Sequence, residues 1–135
     1  MIIVIDTNVF VSGLLKETGS PAVIVNHLLT GRLKAAYDLR IISEYREVLK
    51  RPKFSFKPVE IDALLNYIEA EGVLVYPDSL TLALPDTTDL PFLEVACSID
   101  SKLLVTGNNR HFPESISQQA KILSPAELLR TCKNE

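Results

Sequence analysis

The start of the chain is the feature that most constrains its fold. Four consecutive β-branched aliphatic residues, Ile2 to Ile5, run directly into Asp6, Thr7 and Asn8. A continuous apolar run of this kind is typical of a strand buried on both faces of a parallel sheet. Because parallel α/β sheets place their chemistry where the strands end, Asp6 is predicted to lie in a crevice at the carboxyl edge. The alternative is that the polar triplet forms only a turn or a helix cap, since all three residue types favour those roles.

The rest of the chain alternates strand-like and helix-like patterns. Further strands are predicted at residues 33–37, 73–76, 102–106 and 120–123, with helices between them. Helix starts are predicted at Ser20-Pro21, Asp38, Pro58, the segment 86–92, and Ser124-Pro125. Ser20 and Asp38 are the expected N-caps of their helices, and Gly72 is expected to end the helix that Pro58 opens. This alternation is typical of the α/β class with a parallel sheet, and 135 residues predict one domain with a single core.

The composition bounds the functions that are open to the chain. Hydrophobic residues make up 47% and charged residues 23%, which is ordinary for a soluble protein. The net charge of −3 gives no bulk attraction for nucleic acid, so such binding would need a local basic patch or a bound metal. No apolar run is long enough to span a membrane, and the N-terminal run is too short for a signal peptide. Cys97 and Cys132 predict reduced thiols and a cytoplasmic protein, with neither a disulfide framework nor a zinc site.

Two further acidic residues share the expected environment of Asp6. Glu44 projects from the edge of the inward-facing stripe of the helix over 39–51, and Asp89 faces inward in the first turn of a later helix. In a right-handed α/β fold these positions can converge at the carboxyl edge, where Thr106 and Asn108 would join them. Each has an ordinary alternative as well. Asp89 could stabilise the N-terminus of its helix, Glu44 could pair with a buried arginine, and Asn108 could be a turn residue.

Carboxylates gathered in one crevice repel one another, which raises their pKa values unless a cation is present. Oxygen ligands alone suit Mg²⁺ or Mn²⁺ better than zinc. Such ions also bind substrate phosphates and activate water for attack. The acidic set therefore predicts phosphodiester hydrolysis.

Four stretches of the sequence resemble the PIN-domain family, in the family's order and over nearly the whole chain. They are Ile5–Val9, Glu44–Phe54, Asp86–Ala96 and Leu104–Asn108. The resemblance is to the prokaryotic branch of toxin–antitoxin toxins related to VapC-type ribonucleases. It implies a single PIN domain over residues 1–135, folded as a three-layer α/β/α sandwich around a mostly parallel sheet of four to five strands. It also implies a cognate antitoxin partner and a homodimer.

The resemblance further implies an endoribonuclease that cleaves single-stranded RNA with Mg²⁺ or Mn²⁺. Asp6, Glu44 and Asp89 match the family's catalytic, metal-binding acids, and Thr7, Asn8 and Thr106 match its supporting polar positions. Where many members carry a fourth aspartate, this chain has Asn108, whose amide can ligate a metal but adds no charge. Possible accessory acids are Asp86 and Glu94.

Basic residues near the predicted site are candidates for binding RNA. Arg46, Lys50, Arg51 and Lys53 lie close together with two phenylalanines and are expected either to track a phosphate backbone or to form a solvated helix face. Arg110 and His111 closely follow Asn108 and are the better candidates for phosphate contacts.

Two other functions compete with the ribonuclease hypothesis. One is a PIN-fold module that has lost catalysis and binds RNA or protein, which Asn108 would favour. The other is a flap-type DNA nuclease, although the chain lacks the long insertions of those enzymes.

Overall fold

The computed structural model describes residues 1–80, 89–108, 112 and 119–133. Five strands are present in this part of the chain: β1 (Ile2–Ile5), β2 (Lys34–Tyr37), β3 (Val73–Leu74), β4 (Leu103–Val105) and β5 (Lys121–Leu123). The helices are α1 (Thr7–Leu15), α2 (Ser20–Leu29), α3 (Leu39–Leu49), α4 (Pro58–Glu71), α5 (Leu90–Cys97) and α6 (Pro125–Lys133), with a 3₁₀ turn at Pro52–Phe54.

The strands form one sheet in the order β3-β2-β1-β4-β5, and all neighbouring pairs are parallel. Strand β1 is central, and Ile3, Val4 and Ile5 are completely buried. The prediction of an α/β fold around a parallel sheet is therefore confirmed, and the described sheet is wholly parallel.

The strand order places a crevice at one particular edge of this sheet. From β1 the chain builds outward through β2 to β3, and then returns to the other side of β1 to add β4 and β5. The direction of winding thus changes between β1 and β4. In open α/β sheets ligands bind outside the carboxyl ends of the strands at such a switch point. Asp6 and Thr106 directly follow these two strands.

Helices cover the sheet and produce the α/β/α sandwich. Helix α5 packs on β1, β2 and β4, α4 packs on α3 and β2, and α2 packs between α1 and α6. None of the described helices is both long enough and apolar enough to cross a bilayer. Cys97 and Cys132 are both half-buried.

Local signals explain where several helices begin and end. The Asp38 side chain accepts a 3.0 Å hydrogen bond from the Ile41 amide and caps α3, as predicted. Ser124 and the Glu127 side chain exchange reciprocal hydrogen bonds at the start of α6, which is a capping box. The prediction that Ser20 caps α2 is wrong, because the helix begins at Ser20 itself and Gly19 takes the cap position with φ of 102°.

Gly72 ends α4 at a point where a side chain would not fit. A Cβ atom there would lie 2.5 Å from the carbonyl oxygens of both Ala35 and Ile68. The absence of a side chain therefore lets α4 turn directly into β3 against the neighbouring strand.

Candidate active site

Asp6 and Thr106 meet at the carboxyl ends of the two strands that flank the switch point. The Asp6 amide donates to the Val105 carbonyl at 2.9 Å, which extends the ladder between β1 and β4 by one bond. The Thr106 hydroxyl then donates to Oδ2 of Asp6 at 2.7 Å. Thr106 is fully buried and Asp6 nearly so. The carboxylate of Asp6 is thus held by a buried hydroxyl at the predicted edge of the sheet.

The neighbouring amides fix the direction of that hydrogen bond. Oδ1 of Asn8 accepts from the Gly107 amide at 3.1 Å, which turns its Nδ2 toward the Thr106 hydroxyl oxygen at 3.5 Å. The Asn108 backbone amide also donates to that oxygen, at 3.1 Å. Because both neighbours are donors, the hydroxyl proton of Thr106 is directed at Asp6. Thr106, Asn8, Gly107 and Asn108 form a network, here called the strand-end network, that presents Asp6 as an acceptor.

Asp6 occupies the N-cap position of α1, but its side chain makes no capping hydrogen bond. Asp6 thus lies at the cap position that the alternative interpretation predicts, but its side chain does not cap the helix. One of its carboxylate oxygens accepts instead from Thr106, one hundred positions away in the sequence.

Glu44 is held by a second hydroxyl from the same end of the sheet. The Thr7 hydroxyl donates to Oε2 of Glu44. Thr7 is buried at the start of α1, whereas Glu44 is half-buried in the second turn of α3. Each of two acids from different elements is thus oriented by a threonine that lies just beyond the carboxyl end of β1 or β4.

Tyr45 connects the strand of Asp6 to the helix of Glu44. Its ring is completely buried, and its hydroxyl donates to the carbonyl of Ile5, the residue before Asp6. Burial raises the pKa of Tyr45 well above 10.0, and the charges of Asp6, Glu44 and Asp38 raise it further. The charges of three carboxylates from different elements therefore act on one phenol near the carboxyl edge. The sequence did not predict a role for Tyr45, because its position in the pattern indicates only a residue of the apolar face of α3.

Asp89 lies at the N-terminal end of α5 and is buried. The C-terminal end of this helix connects through a short turn to the start of β4, so its N-terminal end lies toward the carboxyl edge. The Asp89 side chain makes no capping hydrogen bond to the helix. Among the described residues, no three His, Cys, Asp or Glu side chains form a ready-made metal-binding group. The gathering of Asp6, Glu44 and Asp89 around one ion stays a prediction.

Glu94 forms an ion pair with a cation that sequence reasoning missed. One of its oxygens accepts from Arg40 at 2.7 Å and the other from the Leu80 amide at 2.6 Å. Arg40 also makes a 2.6 Å ion pair with Asp38. Burial lowers the pKa of Arg40, but its bonds to Asp38 and Glu94 outweigh this and raise it. The sequence contained a signal for this pair, because a glutamate among the apolar residues of α5 is expected to be buried and therefore to need a cationic partner.

The basic residues near α3 are exposed, and three of the four have acidic partners. The ion pairs are Arg46 with Glu69, Lys50 with Asp62 and Arg51 with Glu47, at 3.4, 2.6 and 2.9 Å. Lys53 lies over the ring of Phe54. Exposed ion pairs are weak. These contacts therefore favour a solvated helix face, but they do not exclude binding of RNA by the same side chains. Asp86, Arg110 and His111 lie outside the described residues.

The donor atoms at this edge are all oxygens of the kind that hard divalent cations prefer. They comprise the carboxylates of Asp6 and Glu44 together with the amide and hydroxyl oxygens of the strand-end network. The described site offers no thiol or imidazole ligand there. An all-oxygen donor set suits a hard divalent cation better than it suits zinc.

The comparisons with known proteins agree with this fold. A family model described as PIN domain matches residues 2–110. No curated protein and no solved structure gave a match. The matched span runs from β1 past Asn108 and so contains every described element that contributes to the site. The chain belongs to the PIN domain family, whose members are generally nucleases and typically use divalent metals.

Proposed function

We propose that this protein is an endoribonuclease that cleaves single-stranded RNA with Mg²⁺ or Mn²⁺. The observation that carries the proposal is the pair of acids at the carboxyl edge, each held by a threonine hydroxyl. Asp6 accepts from Thr106, and Glu44 accepts from Thr7. Residues that hold ligands in place tune a metal site as much as the ligands do.

The chain's own residues have distinct parts in this function. Asp6, Glu44 and Asp89 would hold the divalent ion, and Asn8 and Asn108 would lie close to the bound phosphate. Thr106 and Thr7 keep two of these carboxylates oriented before substrate arrives, which reduces the reorganisation required for catalysis. When bound, the ion supplies Lewis acidity that activates water and offsets negative charge on the phosphate.

A cleavage assay on single-stranded RNA tests the proposal. Wild type is compared with Asp6→Asn and Asp89→Asn, with and without Mg²⁺ or Mn²⁺. Asp62→Asn is the matched control, because Asp62 is an exposed aspartate whose partner is Lys50. We expect metal-dependent cutting that falls on the order of 100-fold or more in the first two variants, the scale for losing a group that stabilises the transition state. The control should cut like wild type.

Two outcomes would contradict the proposal. One is cutting that persists in Asp6→Asn, and the other is wild-type protein that binds RNA but never cuts it with either metal. The second result would favour the catalytically impaired binding module. A parallel assay on single-stranded DNA tests the flap-type alternative.

We further propose that the protein is the toxin of a toxin–antitoxin pair, acting in the cytoplasm as a homodimer. The support is the resemblance to the VapC-like branch. Induced expression should arrest growth in wild type but not in Asp6→Asn, and co-expression of the neighbouring gene product should restore it. Light scattering on the purified chain measures the oligomeric state.

A further inference from the structure

A cavity of about 350 Å³ opens at the carboxyl ends of β2 and β3. Its walls include Leu39, Val75, Tyr76 and the ion-paired residues Arg40 and Glu94. This volume is at the small end of the range for ligand pockets. Asp38, which directly follows β2, also lines the cavity. Because β2 is the parallel neighbour of β1, the cavity lies at the same carboxyl edge of the sheet as Asp6, and it is here called the β2–β3 pocket.

The pocket carries an unusual amount of exposed apolar surface. Tyr76 is 84% exposed and Leu39 is 70% exposed, and Leu74 in the same wall is 40% exposed. Single exposed apolar residues are normal on a protein surface. Three exposed apolar side chains around one cavity, at the same edge of the sheet as the candidate active site, are typical of a binding site.

The charges of the pocket disfavour a phosphate. Arg40 donates to Asp38 from Nε and Nη2 at 2.8 and 2.6 Å, and to Glu94 from Nη1 at 2.7 Å. Two carboxylates thus surround one guanidinium, which leaves an excess negative charge. A phosphate placed there would meet repulsion, and an Arg40 that turned outward to bind it would leave two largely buried carboxylates without their cation.

The charged side chains of the pocket also have hydrogen-bond partners within the protein. The second oxygen of Asp38 accepts from the Ile41 amide, and that of Glu94 accepts from the Leu80 amide. Apart from the hydroxyls of Tyr76 and Ser79, the rest of the lining consists of apolar side chains and the tyrosine ring. Such a surface suits an uncharged planar group that binds by stacking.

We propose that the β2–β3 pocket binds a nucleobase of the RNA substrate by stacking on Tyr76. The inference rests on the proposed ribonuclease function and names a substrate subsite for it. Leu39 provides an apolar wall, and Arg40 is a positioning residue that holds α3 to α5 and so maintains the shape of the pocket. Because every base has an aromatic face, a subsite of this kind accepts all four bases.

A nuclear magnetic resonance titration tests the subsite without any cleavage. Wild-type protein is titrated with adenosine, guanosine, cytidine, uridine and, separately, ribose 5-phosphate. We expect all four nucleosides to shift the amide resonances of Leu39 and Tyr76, and ribose 5-phosphate to leave them unchanged. Shifts with ribose 5-phosphate alone would overturn the proposal. No shifts with any nucleoside would also overturn it, and would favour a pocket that docks a protein.

Binding of a fluorescent single-stranded RNA in the presence of a chelator provides the mutational test. Tyr76→Ala should bind roughly 5- to 150-fold more weakly, the range for removing one stacked base contact. Tyr76→Phe keeps the ring and should bind like wild type. Leu39→Ala should weaken binding, and Leu29→Ala is its matched control, because Leu29 is a 48% exposed leucine outside the pocket. The side chains changed are exposed, so loss of folding is not expected.

The two proposals fail in different ways. If wild type binds RNA through Tyr76 but never cuts it, the nuclease function fails and the base subsite stands. If wild type cuts RNA while Tyr76→Ala binds and cuts as the Leu29→Ala control does, the subsite fails and the nuclease function stands.

Discussion

The Tyr45 hydroxyl donates to the main-chain carbonyl of Ile5 in the interior of the protein. The last paired residues of β1 and β2 are Ile3 and Ala35, so the ladder between these strands has ended before Ile5 is reached. Tyr45 thus satisfies a carbonyl beyond the end of the ladder. The bond also joins the residue before Asp6 to the residue after Glu44, which fixes the relative position of two candidate ligands.

Replacing Tyr45 with phenylalanine should therefore lower both stability and activity. A buried carbonyl left without its donor costs about 1–3 kcal/mol, which urea unfolding would measure. Metal-dependent cleavage should fall about 10- to 100-fold, because groups that hold the ligands of a metal in place have that influence. Tyr67→Phe is the control, since the Tyr67 hydroxyl donates to the Leu28 carbonyl, away from the carboxyl edge. If Tyr45→Phe cleaved RNA as fast as Tyr67→Phe, the role of Tyr45 in positioning the candidate ligands would be contradicted.

The raised pKa of Tyr45 predicts a specific loss of stability at high pH. Its folded-state pKa lies well above the unfolded value near 10.0. Above pH 10 the unfolded chain releases the phenolic proton while the native state keeps it, so the free energy of unfolding falls as pH rises. Urea unfolding between pH 9 and 11.5 should show a smaller fall in Tyr45→Phe than in wild type. If the free energy of unfolding fell equally with pH in both proteins, Tyr45 would not contribute to the loss of stability at high pH.

The Thr106 hydroxyl should be necessary for positioning Asp6. Thr106→Val preserves the shape of the side chain but removes the bond to the carboxylate, whereas Thr106→Ser retains the hydroxyl. We expect a 10- to 100-fold loss of metal affinity or activity in the valine variant, on the order seen for such partners, and near wild-type values with serine. Isothermal titration with Mn²⁺ and the cleavage assay measure the two effects. Thr30→Val serves as control, because the Thr30 hydroxyl bonds only within its own exposed turn.

Asn108→Asp tests the effect of the missing fourth acid. The added carboxylate would increase the negative charge beside Thr106 and Asp6, and should tighten Mn²⁺ binding. A gain in affinity or in the number of ions bound, measured by titration calorimetry, supports an amide that faces the metal. Unchanged binding in a folded variant would place Asn108 outside the ligand set.

Glu94 is expected to stabilise the fold without binding the metal. Glu94→Gln removes the charge that faces Arg40 and should cost about 1–3 kcal/mol, the scale for a buried hydrogen bond to a charged group, reduced by the half-exposed position of Arg40. Mn²⁺ affinity should not change. Glu69→Gln, at an exposed ion pair with Arg46, should cost less than about 1 kcal/mol. A large drop in Mn²⁺ affinity for Glu94→Gln would restore its accessory role.

Much of the fold follows from local patterns in the sequence. The apolar run before Asp6 predicts a central parallel strand, and strand β1 does lie at the centre of the sheet. The capping residue Asp38 and the glycine that ends α4 lie where their local chemistry predicts. Such features depend on contacts within a few residues, so the chain order alone reveals them.

The sequence by itself determined the class of fold, the family motifs and the acidic residues Asp6, Glu44 and Asp89 as candidates. Only the tertiary structure decided which groups meet: Thr106 with Asp6, Thr7 with Glu44, and Arg40 with Glu94. These partners are 100, 37 and 54 positions apart. The periodicity of a helix or a strand specifies the face on which a side chain lies, but it contains no information about the distance to another element. That distance is set by the packing of the whole sheet and its helices.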